Sequence, residues 1–534
     1  MHFLFRNKNP AGYQMIKQLA LRLKPSEAAD DFFLKQIIAT ESGKKAASVT
    51  GYNILKKSID ARGRQPYINI TLDAFIDEPF IKRHLQQFIF PDVSKSYKQV
   101  VIVGAGPAGL FAALQLIEKG IKPIIIERGK DVKARRRDLA VLNKEGIINP
   151  ESNYCFGEGG AGTYSDGKLY TRSTKRGDVS RVLNLLVQFG AQENILFEAH
   201  PHIGTNKLPG IISTIRTKII DCGGAILFEK KLVDFSLENE TVTGITCADG
   251  SKIKADAVIL ATGHSAKDIF HLLYIKNIAI EFKPFALGVR VEHPQSLIDS
   301  VQYHCTIKDQ YLPPASYSLV QQVNNKGVFS FCMCPGGIIA TASTQEGELV
   351  VNGWSPSKRN NPFANSGIVV SVEEKDVQEF KKHGVLAGMY FQQQVEQKSF
   401  AAGGGKFVAP AQRLVDFTEN KISGSLPACS YLPGIISAGL NEVLPPFIHS
   451  RLQEAFKEFG KKMRGYFTNE ALVVATESRT SSPVRIPRDS KTLNHPQIKN
   501  LYPCGEGAGY AGGIVSAAMD GENCASMAAV YLKA

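Results

Sequence analysis

Three glycines and a later glutamate form the pattern in this chain that most strongly indicates chemistry. Gly104, Gly106 and Gly109 follow the β-branched run Gln99–Val103, and Glu127 ends a second apolar run. In such a strand–turn–helix–strand unit, the first glycine makes a tight turn and the second lets backbone approach a pyrophosphate. The third lets the helix pack closely on the strand. The segment predicts a dinucleotide site with its phosphates at a helix N-terminus and Glu127 hydrogen-bonded to a ribose diol.

Two later segments indicate which dinucleotide binds. Ala255–Gly263 is an apolar strand that breaks at a small-residue turn, a pattern found in FAD-binding sheets of the glutathione-reductase type. Gly505–Gly513 contains an acid and then two glycines that open a final helix at Ile514. The positive end of that helix can stabilise the negative charge of a reduced flavin, and the acid can meet the ribitol. These segments favour FAD over a nicotinamide nucleotide.

The expected cofactor contacts come from the first turn, its acid and the basic cluster behind it, a glycine-rich loop and the later segments. They are Gly104, Gly106, Pro107, Ala108, Gly109, Glu127, Arg128, Arg135, Gly160, Ala161, Gly162, Thr163, Ser165, Leu232, Ala261, Thr262, Gly263, Gly505, Glu506, Gly512, Gly513 and Ile514.

Three other glycine patterns are interpreted as decoys. Gly157–Gly162 fits GxGxxG, but no strand precedes it, so we predict a flexible loop near the flavin. Too few residues follow Gly507–Gly512 for another βαβ unit, and Leu169 stands where the near P-loop match Gly162–Leu169 needs Ser or Thr. No second dinucleotide domain is expected. NAD(P)H, if it is the reductant, would bind in the substrate cleft.

Two histidines and a lysine are candidates for catalysis. His200 and His202 share one face if the backbone is extended, and an imidazole can act as general acid or base near neutral pH. A hydrogen bond within a turn is the alternative role for each. Lys168 lies at the end of the glycine-rich segment, with a solvated surface lysine as its alternative. Of these, His202 and Lys168 are the stronger candidates.

Arg479, Thr480 and Arg485 lie just before the chain is expected to return to the nucleotide domain. Two guanidiniums at the edge of a cleft would suit a carboxylate or phosphate substrate. An exposed loop is the alternative interpretation. Arg479 is therefore the third catalytic candidate.

Composition limits the class of protein. The chain has 534 residues, 43% of them hydrophobic, with a net charge of +13 and nine cysteines. No apolar run approaches about 20 residues, which predicts no membrane span. Residues 4–8 lack the apolar core of a signal peptide, and the cysteines lack disulfide-framework spacing, so a cytoplasmic protein is expected. A solvated basic surface explains the charge more simply than a nucleic-acid site, which stays open.

The chain is predicted to be an α/β protein with four segments. Residues 1–95 form an N-terminal α+β domain, in which Ser26 caps a helix to about Ala39, and a polar linker follows at Phe90–Lys98. Residues 96–272 are the first part of the FAD-binding domain. Residues 273–490, rich in short strands and turns, are an inserted α+β substrate domain, and residues 491–534 complete the FAD-binding domain.

The cysteines give little sign of redox or metal chemistry. Cys332 and Cys334 would share one face of a strand, near the limit for a disulfide, and a structural role for both is the preferred interpretation. The chain has no CxxC motif and no zinc-type spacing, so no metal site is predicted.

Several segments together resemble a known family, the large bacterial and archaeal FAD-dependent dehydrogenases of unassigned substrate. They are Lys57–Arg62, Phe156–Leu169, His200–Gly204, Pro284–Arg290, Cys334–Gly337, Glu477–Arg485 and Cys504–Gly513. The resemblance covers essentially the whole chain. It implies non-covalent FAD and an N-terminal domain of ferredoxin-like character, and it implies no substrate. Glu506 departs from the wider superfamily, in which many relatives have Asp.

The leading hypothesis is an FAD-dependent oxidoreductase that exchanges a hydride or electrons with an anionic small molecule. One alternative is an RNA-modifying flavoprotein, because Tyr52 and Tyr67 lie near several basic residues of the N-terminal domain. Another is a flavin monooxygenase. The oligomeric state is not indicated.

Overall fold

The computed structural model describes residues 16–171 and 174–533, so residues 4–8, where no signal-peptide core is expected, lie outside it. The N-terminal elements are β1 (Ile16–Leu23), α1 (Pro25–Ala29), α2 (Asp31–Ser42), β2 (Val49–Asp60) and β3 (Tyr67–Ile76). The strands form an antiparallel sheet in the order β1-β3-β2. Alternate residues of β3 are buried against α2, which is why this sheet has one apolar face.

Two expectations for this unit need correction or remain open. Ser26 lies inside α1 and caps nothing, whereas Asp30 caps α2 by accepting hydrogen bonds from the Phe32 and Phe33 backbone N–H groups. A ferredoxin-like β-α-β-β-α-β domain needs a further helix and strand after β3. Residues 77–98 contain neither, so the irregular linker is longer than predicted and the ferredoxin-like character remains a prediction.

A parallel sheet forms the nucleotide domain, with strand order β22-β10-β4-β5-β6. The elements of its first part are β4 (Gln99–Val103), α3 (Pro107–Glu118), β5 (Lys122–Ile126), α4 (Val132–Glu145), α5 (Val179–Gln188), α6 (Leu208–Asp221), β6 (Ala225–Leu227), β7 (Leu232–Glu238), β8 (Thr241–Cys247), β9 (Lys252–Lys254), β10 (Ala257–Leu260) and α7 (Lys267–Ile275).

Both faces of this sheet are covered, which explains why its strands are continuous apolar runs. In β4, Val100 and Ile102 face a core shared with α3, α5 and α6, whereas Val101 and Val103 face the antiparallel β7-β8-β9 sheet and α7. This arrangement is the α/β class predicted from the sequence.

Between the two parts of the nucleotide domain lies a mixed seven-stranded sheet of order β13-β14-β17-β12-β20-β18-β19. The elements here are β11 (Glu281–Phe282), β12 (Phe285–Pro294), α8 (Gln295–Tyr303), β13 (Val320–Val323), β14 (Lys326–Cys334), β15 (Ile338–Thr341), β16 (Val351–Trp354), β17 (Phe363–Val372), α9 (Ala387–Ala402), β18 (Ala409–Arg413), α10 (Leu414–Thr418), β19 (Ile435–Ser437), α11 (Leu440–Val443), α12 (Pro446–Lys462), β20 (Leu472–Glu477) and β21 (Val484–Arg485). The domain boundaries at residues 95, 272 and 490 remain predictions.

The chain then returns to the parallel sheet through β22 (Leu501–Pro503) and α13 (Ile514–Lys533). Helix α13 packs directly on α3, because a Cβ at Gly521 would lie 2.0 Å from the Ala108 carbonyl oxygen. Only glycine permits this approach. No helix of residues 16–171 and 174–533 has the length and apolar character to cross a membrane.

A buried histidine in the seven-stranded sheet predicts a pH-dependent stability. His293 is fully buried, its Nε2 lies 2.8 Å from the Tyr466 carbonyl oxygen, and its Nδ1 has no partner among the described residues. Burial lowers the pKa of His293 to about 4. The unfolded chain therefore binds the additional proton, and the free energy of unfolding should fall by on the order of 3 kcal/mol as the pH drops from about 6.5 to 4.

Denaturant unfolding measured across that pH range tests this. His293→Gln should be less stable at pH 7 and should lose less stability on acidification than the wild type. The exposed His84→Gln is the matched control and should keep the wild-type slope. An equally steep slope in His293→Gln would contradict the assignment.

Candidate functional site

A cavity of about 810 Å³, here called the main cavity, lies where the parallel strands end and the seven-stranded sheet begins. Ligands of open α/β sheets bind at such carboxyl ends. Nineteen of the residues predicted to contact the cofactor line it: Gly104, Gly106, Pro107, Ala108, Glu127, Arg128, Gly160, Ala161, Gly162, Ser165, Leu232, Ala261, Thr262, Gly263, Gly505, Glu506, Gly512, Gly513 and Ile514. Gly109, Arg135 and Thr163 do not line it.

The first glycine turn leaves room for a ligand only where the motif requires it. A Cβ at Gly109 would lie 1.9 Å from the Gly104 carbonyl oxygen, so this glycine serves packing. At Gly106 the nearest heavy atom to an added Cβ is the Gly160 Cα, 3.9 Å away, and Gly512 and Gly513 have nothing within 4 Å. These open positions lie at the N-termini of α3 and α13, where a cofactor's anionic groups are favoured.

Glu127 is buried and connects three loops through its carboxylate. One oxygen accepts a hydrogen bond from the Ala105 N–H, and the other accepts from the N–H groups of Gly129 and Gly157, all at 2.9 Å. A carboxylate offers about four acceptor positions, so one remains on the oxygen that Ala105 contacts. A ribose hydroxyl can donate to that position. Glu127 also holds together the loops around Ala105, Gly129 and Gly157, which with the segment after β22 are here called the cofactor cradle.

Arg135 and Thr163 do not line the main cavity but support the glycine-rich segment, and their contact with the cofactor stays a prediction. The Arg135 guanidinium is fully buried and donates to the carbonyl oxygens of Asn153, Tyr154, Gly157 and Glu158 and to the Thr163 hydroxyl. A Cβ at Gly157 would lie 2.5 Å from Arg135 Cδ. With its donors used inside the loop, Arg135 holds the glycine-rich segment in place. That segment forms a short turn at Gly160–Gly162 and begins no helix.

The second half of the cradle is fixed by Arg488, which the sequence analysis missed. Its guanidinium donates to both oxygens of Asp520, and one of these also accepts from the Gly505 N–H at 2.7 Å. Cys504, Asp520 and Cys524 have potential ligand atoms within 4.8 Å of one another. Arg488 donates to two of these three residues, so an arginine already supplies the positive charge beside the cluster.

The far end of the main cavity is polar at one corner. Lys168 donates to the Met333 carbonyl oxygen and lies 3.8 Å from Asp166. Arg359 donates to both oxygens of Asp166, at 3.2 and 2.6 Å. Because two cations face one carboxylate, this corner carries a net positive charge. Lys168 is a residue expected from the sequence, whereas Asp166 and Arg359 are not, because their contact joins residues far apart in the chain.

The two histidines are separated by the structure. His200 lines the main cavity and packs against Tyr170, with ring centroids 5.0 Å apart. His202 lines a neighbouring cavity instead, and its Nε2 lies 3.2 Å from the Ser357 carbonyl oxygen. Burial and the Arg359 guanidinium lower the pKa of His202. A role for His202 at the flavin would therefore require the wall between the cavities to move.

Of the two guanidiniums expected to bind an anion, only that of Arg479 belongs to a residue lining the main cavity. Arg479 lines the main cavity, but its guanidinium donates to Glu396, Glu348 and the Thr344 hydroxyl at 2.8 to 3.2 Å. Lys267 also binds Glu348 and Glu396. Two buried carboxylates thus balance two cations, and Arg479 has no uncompensated charge to offer an anion. Arg485 is exposed, lies outside the cavity lining, and has its guanidinium 5.7 Å from the Tyr510 ring.

A β-bulge disrupts the expected strand at Cys332 and Cys334. The register of β14 shifts between Phe331 and Cys334, and Cys332 has a left-handed φ of 45°. The buried Arg290 fixes the bulge by donating to the Cys332 carbonyl oxygen at 2.6 Å and by contacting Cys334 Sγ at 3.6 Å. Cys334 is buried, whereas Cys332 is exposed, and both line the main cavity.

Comparison with known proteins adds the family. Residues 98–272 match a model described as pyridine nucleotide-disulphide oxidoreductase, and residues 284–480 match one described as FAD-dependent protein, C-terminal domain-like. Residues 15–75 match a domain of unknown function. A protein of Clostridium beijerinckii described as uncharacterized is 39% identical over 506 residues, which is 91% of this chain and 94% of that protein. The chain belongs to the FAD-dependent oxidoreductase family.

Other proteins found by comparison are less similar to this oxidoreductase. Thiamine thiazole synthase from Aeropyrum pernix is 27% identical over 210 residues, 36% of this chain and 60% of that protein. The solved structure of 2,6-dihydroxypyridine-3-hydroxylase from Arthrobacter nicotinovorans covers 82% of this chain and 84% of its own, with 13% identity and a TM-score of 0.36.

Membership of the FAD-dependent oxidoreductase family confirms FAD as the cofactor and shows that the protein is an enzyme.

Gly106→Ala should weaken FAD binding to the oxidoreductase without unfolding it. The added methyl group meets no protein atom closer than 3.9 Å, but it enters the expected path of the pyrophosphate. Overpacking of this kind costs about 1–3 kcal/mol, or roughly a tenfold to hundredfold loss of FAD affinity. Flavin absorbance after dialysis and reconstitution measures this loss.

Gly210→Ala is the matched control, because this glycine is exposed in α6 and an added Cβ meets nothing within 4 Å. It should retain the wild-type flavin content. Normal FAD affinity in Gly106→Ala would show that the turn does not hold the pyrophosphate.

Glu127→Ala should lower FAD affinity by about tenfold to a hundredfold, since a hydrogen bond to a charged group contributes about 1.5–3 kcal/mol. It also leaves three backbone N–H groups without their acceptor, so limited proteolysis near Gly157 should become faster. The visible spectrum of the bound flavin should stay unchanged, because the ribose of the adenosine lies far from the flavin ring. A shifted spectrum with unchanged affinity would place Glu127 at the wrong end of the cofactor.

Proposed function

We propose that the protein binds FAD non-covalently, extended as in the glutathione-reductase type, and exchanges two electrons with an anionic small molecule. The observation that carries the proposal is the layout of the main cavity. Open glycines and Glu127 line one part of it, and the net-positive corner of Lys168, Asp166 and Arg359 lines another. A cavity of about 810 Å³ is within the usual range for ligand sites, roughly 300–1,000 Å³.

Each part of the cavity has a separate task in this proposal. Bound FAD supplies the redox chemistry. The N-termini of α3 and α13 face its anionic groups, and Glu506 lies where the ribitol is expected. Lys168 binds and orients the anionic group of the substrate, because an ammonium is a compact positive charge on a flexible stem. His200, which lines the same cavity, is available to hold or deliver a proton.

The N-terminal domain gives little support to the RNA hypothesis. The Tyr52 hydroxyl donates to Asp31 at 2.7 Å, and the Arg22 guanidinium covers the Tyr67 ring at 4.1 Å. Neither ring is therefore an open platform for stacking a base. All nine cysteines are free thiols, which supports the proposal of a reducing, cytoplasmic location.

Anaerobic reduction of the purified protein tests the proposal. The protein should be yellow, mild acid should release intact FAD, and an anionic metabolite or NAD(P)H should bleach the flavin. Lys168→Met should slow that bleaching at least tenfold and leave FAD content and reduction by dithionite unchanged. Lys175→Met, an exposed lysine on a short helical turn, is the control.

Two results would overturn the proposal. A colourless protein that cannot be reconstituted with FAD would remove the cofactor. Substrate-dependent oxygen uptake coupled to hydroxylation, without direct bleaching by the substrate, would replace a dehydrogenase with a monooxygenase.

A further inference from the structure

A second cavity of about 600 Å³ lies beside the main cavity, and Arg359 lines both. Most of the residues that line this second cavity carry polar side chains, among them His202, Gln295, Asp299, Lys308, Lys358 and Asn361. Its lining contains prolines and amides, whereas several aromatic side chains line the main cavity.

A thin partition separates the two cavities. Asp166–Leu169 pairs with Pro201–Gly204 through the backbone hydrogen bonds from Leu169 to Pro201, from Ile203 to Gly167 and from Gly204 to Asp166. In this paired segment Lys168 lines the main cavity, whereas His202 lines the second. The partition is thus built from two of the segments that carry the family resemblance.

The backbone of Arg359 is held in one position. Its φ is 49°, a left-handed value that is rare for a residue with a side chain. A Cβ at Gly336 would lie 1.6 Å from the Arg359 carbonyl oxygen, and a Cβ at Gly204 would lie 2.2 Å from the Ser357 N. Two glycines of the resemblance segments therefore allow the Ser357–Arg359 loop to pack against them. Such strained positions are concentrated at functional sites.

The charges of the second cavity favour an anion. The Arg359 guanidinium uses Nε and Nη2 to bind Asp166, and Nη1 makes no hydrogen bond to the described residues. Lys358 is exposed and forms no ion pair within the described part of the chain. The carboxylate in the lining, Asp299, already accepts hydrogen bonds from the Gln295 amide and the Ala315 N–H. Lys308 and Lys358 together outweigh it, even without Arg359, whose charge is paired with Asp166.

We infer that the second cavity binds a phosphate or diphosphate group, and that Arg359, which lines both cavities, binds it where the two cavities adjoin. This group belongs to a molecule whose redox-active part enters the main cavity, so that part of the inference depends on the proposed function. A guanidinium suits the site, because its fixed fork can bind Asp166 on one side and a phosphate oxygen on the other.

Titration of the holoenzyme with inorganic pyrophosphate tests the inference. The chain has one tryptophan, Trp354, which lines the main cavity a few residues before Arg359. Its fluorescence and the flavin spectrum should change saturably with pyrophosphate and recover when salt is added. Arg359→Ala should weaken binding about tenfold to a hundredfold, and Arg359→Lys should restore only part of it.

Two further variants keep the test interpretable. Arg359→Ala leaves the buried Asp166 carboxylate without its bidentate partner and can lower stability, so Lys358→Ala, which breaks no ion pair, is the second variant. It should weaken pyrophosphate binding about threefold. Arg464→Ala, an exposed arginine outside both cavities, should bind as the wild type does.

The outcomes separate this inference from the proposed function. FAD content and dithionite reduction are measured in the same samples. A wild-type protein that contains no FAD and shows no dithionite-reducible flavin would reject the proposed function. Normal FAD with no pyrophosphate binding, or with equal binding in all variants, would overturn the inference alone. If pyrophosphate slows flavin reduction by NADH or NADPH, the phosphate belongs to the reductant. If it binds without slowing that step, the phosphate belongs to the substrate.

Discussion

The site depends on the Glu127 carboxylate, a buried acceptor shared by three backbone segments. It binds the glycine turn after β4, the loop after β5 and the beginning of the glycine-rich segment. A buried N–H group that loses its acceptor costs about 1–3 kcal/mol, so these three loops are stable only together. Arg135 repeats the principle from the opposite side, with donors where Glu127 has acceptors. The carboxylate of Glu127 and the guanidinium of Arg135 therefore give the cofactor cradle a fixed shape.

Elements with local signals could be predicted from the sequence. The strand expected within Ala255–Gly263 and the helix expected from Ile514 match β10 and the start of α13, because each has an apolar pattern with a glycine or turn at its end. The dinucleotide motif is local for the same reason: its turn, helix and acid lie on consecutive elements. Helices α9 and α12 were missed, since the many turns around them suggested only short strands.

Contacts between distant residues could not be predicted. Arg479 and Arg485 are close in sequence, which favoured a joint anion site. In the structure Glu348 and Glu396 bind Arg479, whereas Arg485 is exposed. Asp166 and Arg359 meet across 193 positions, and no local pattern indicates which basic residue binds which acid. The bulge at Cys332 could not be predicted for the same reason, because Arg290, which fixes it, lies on another strand.

The order in which the chain is synthesised matters for the two-part cradle. Gly104–Glu127 leaves the ribosome long before β22 and α13, yet Gly512, Gly513 and the start of α13 form the other side of the cavity. Helix α3 buries a face against α13, so during translation that apolar face stays uncovered while nearly 400 intervening residues emerge, counted from Glu118 to Ile514. FAD can be enclosed only after this delay. Nascent chains of this protein are therefore expected to need protection from aggregation until the last helix closes on the first.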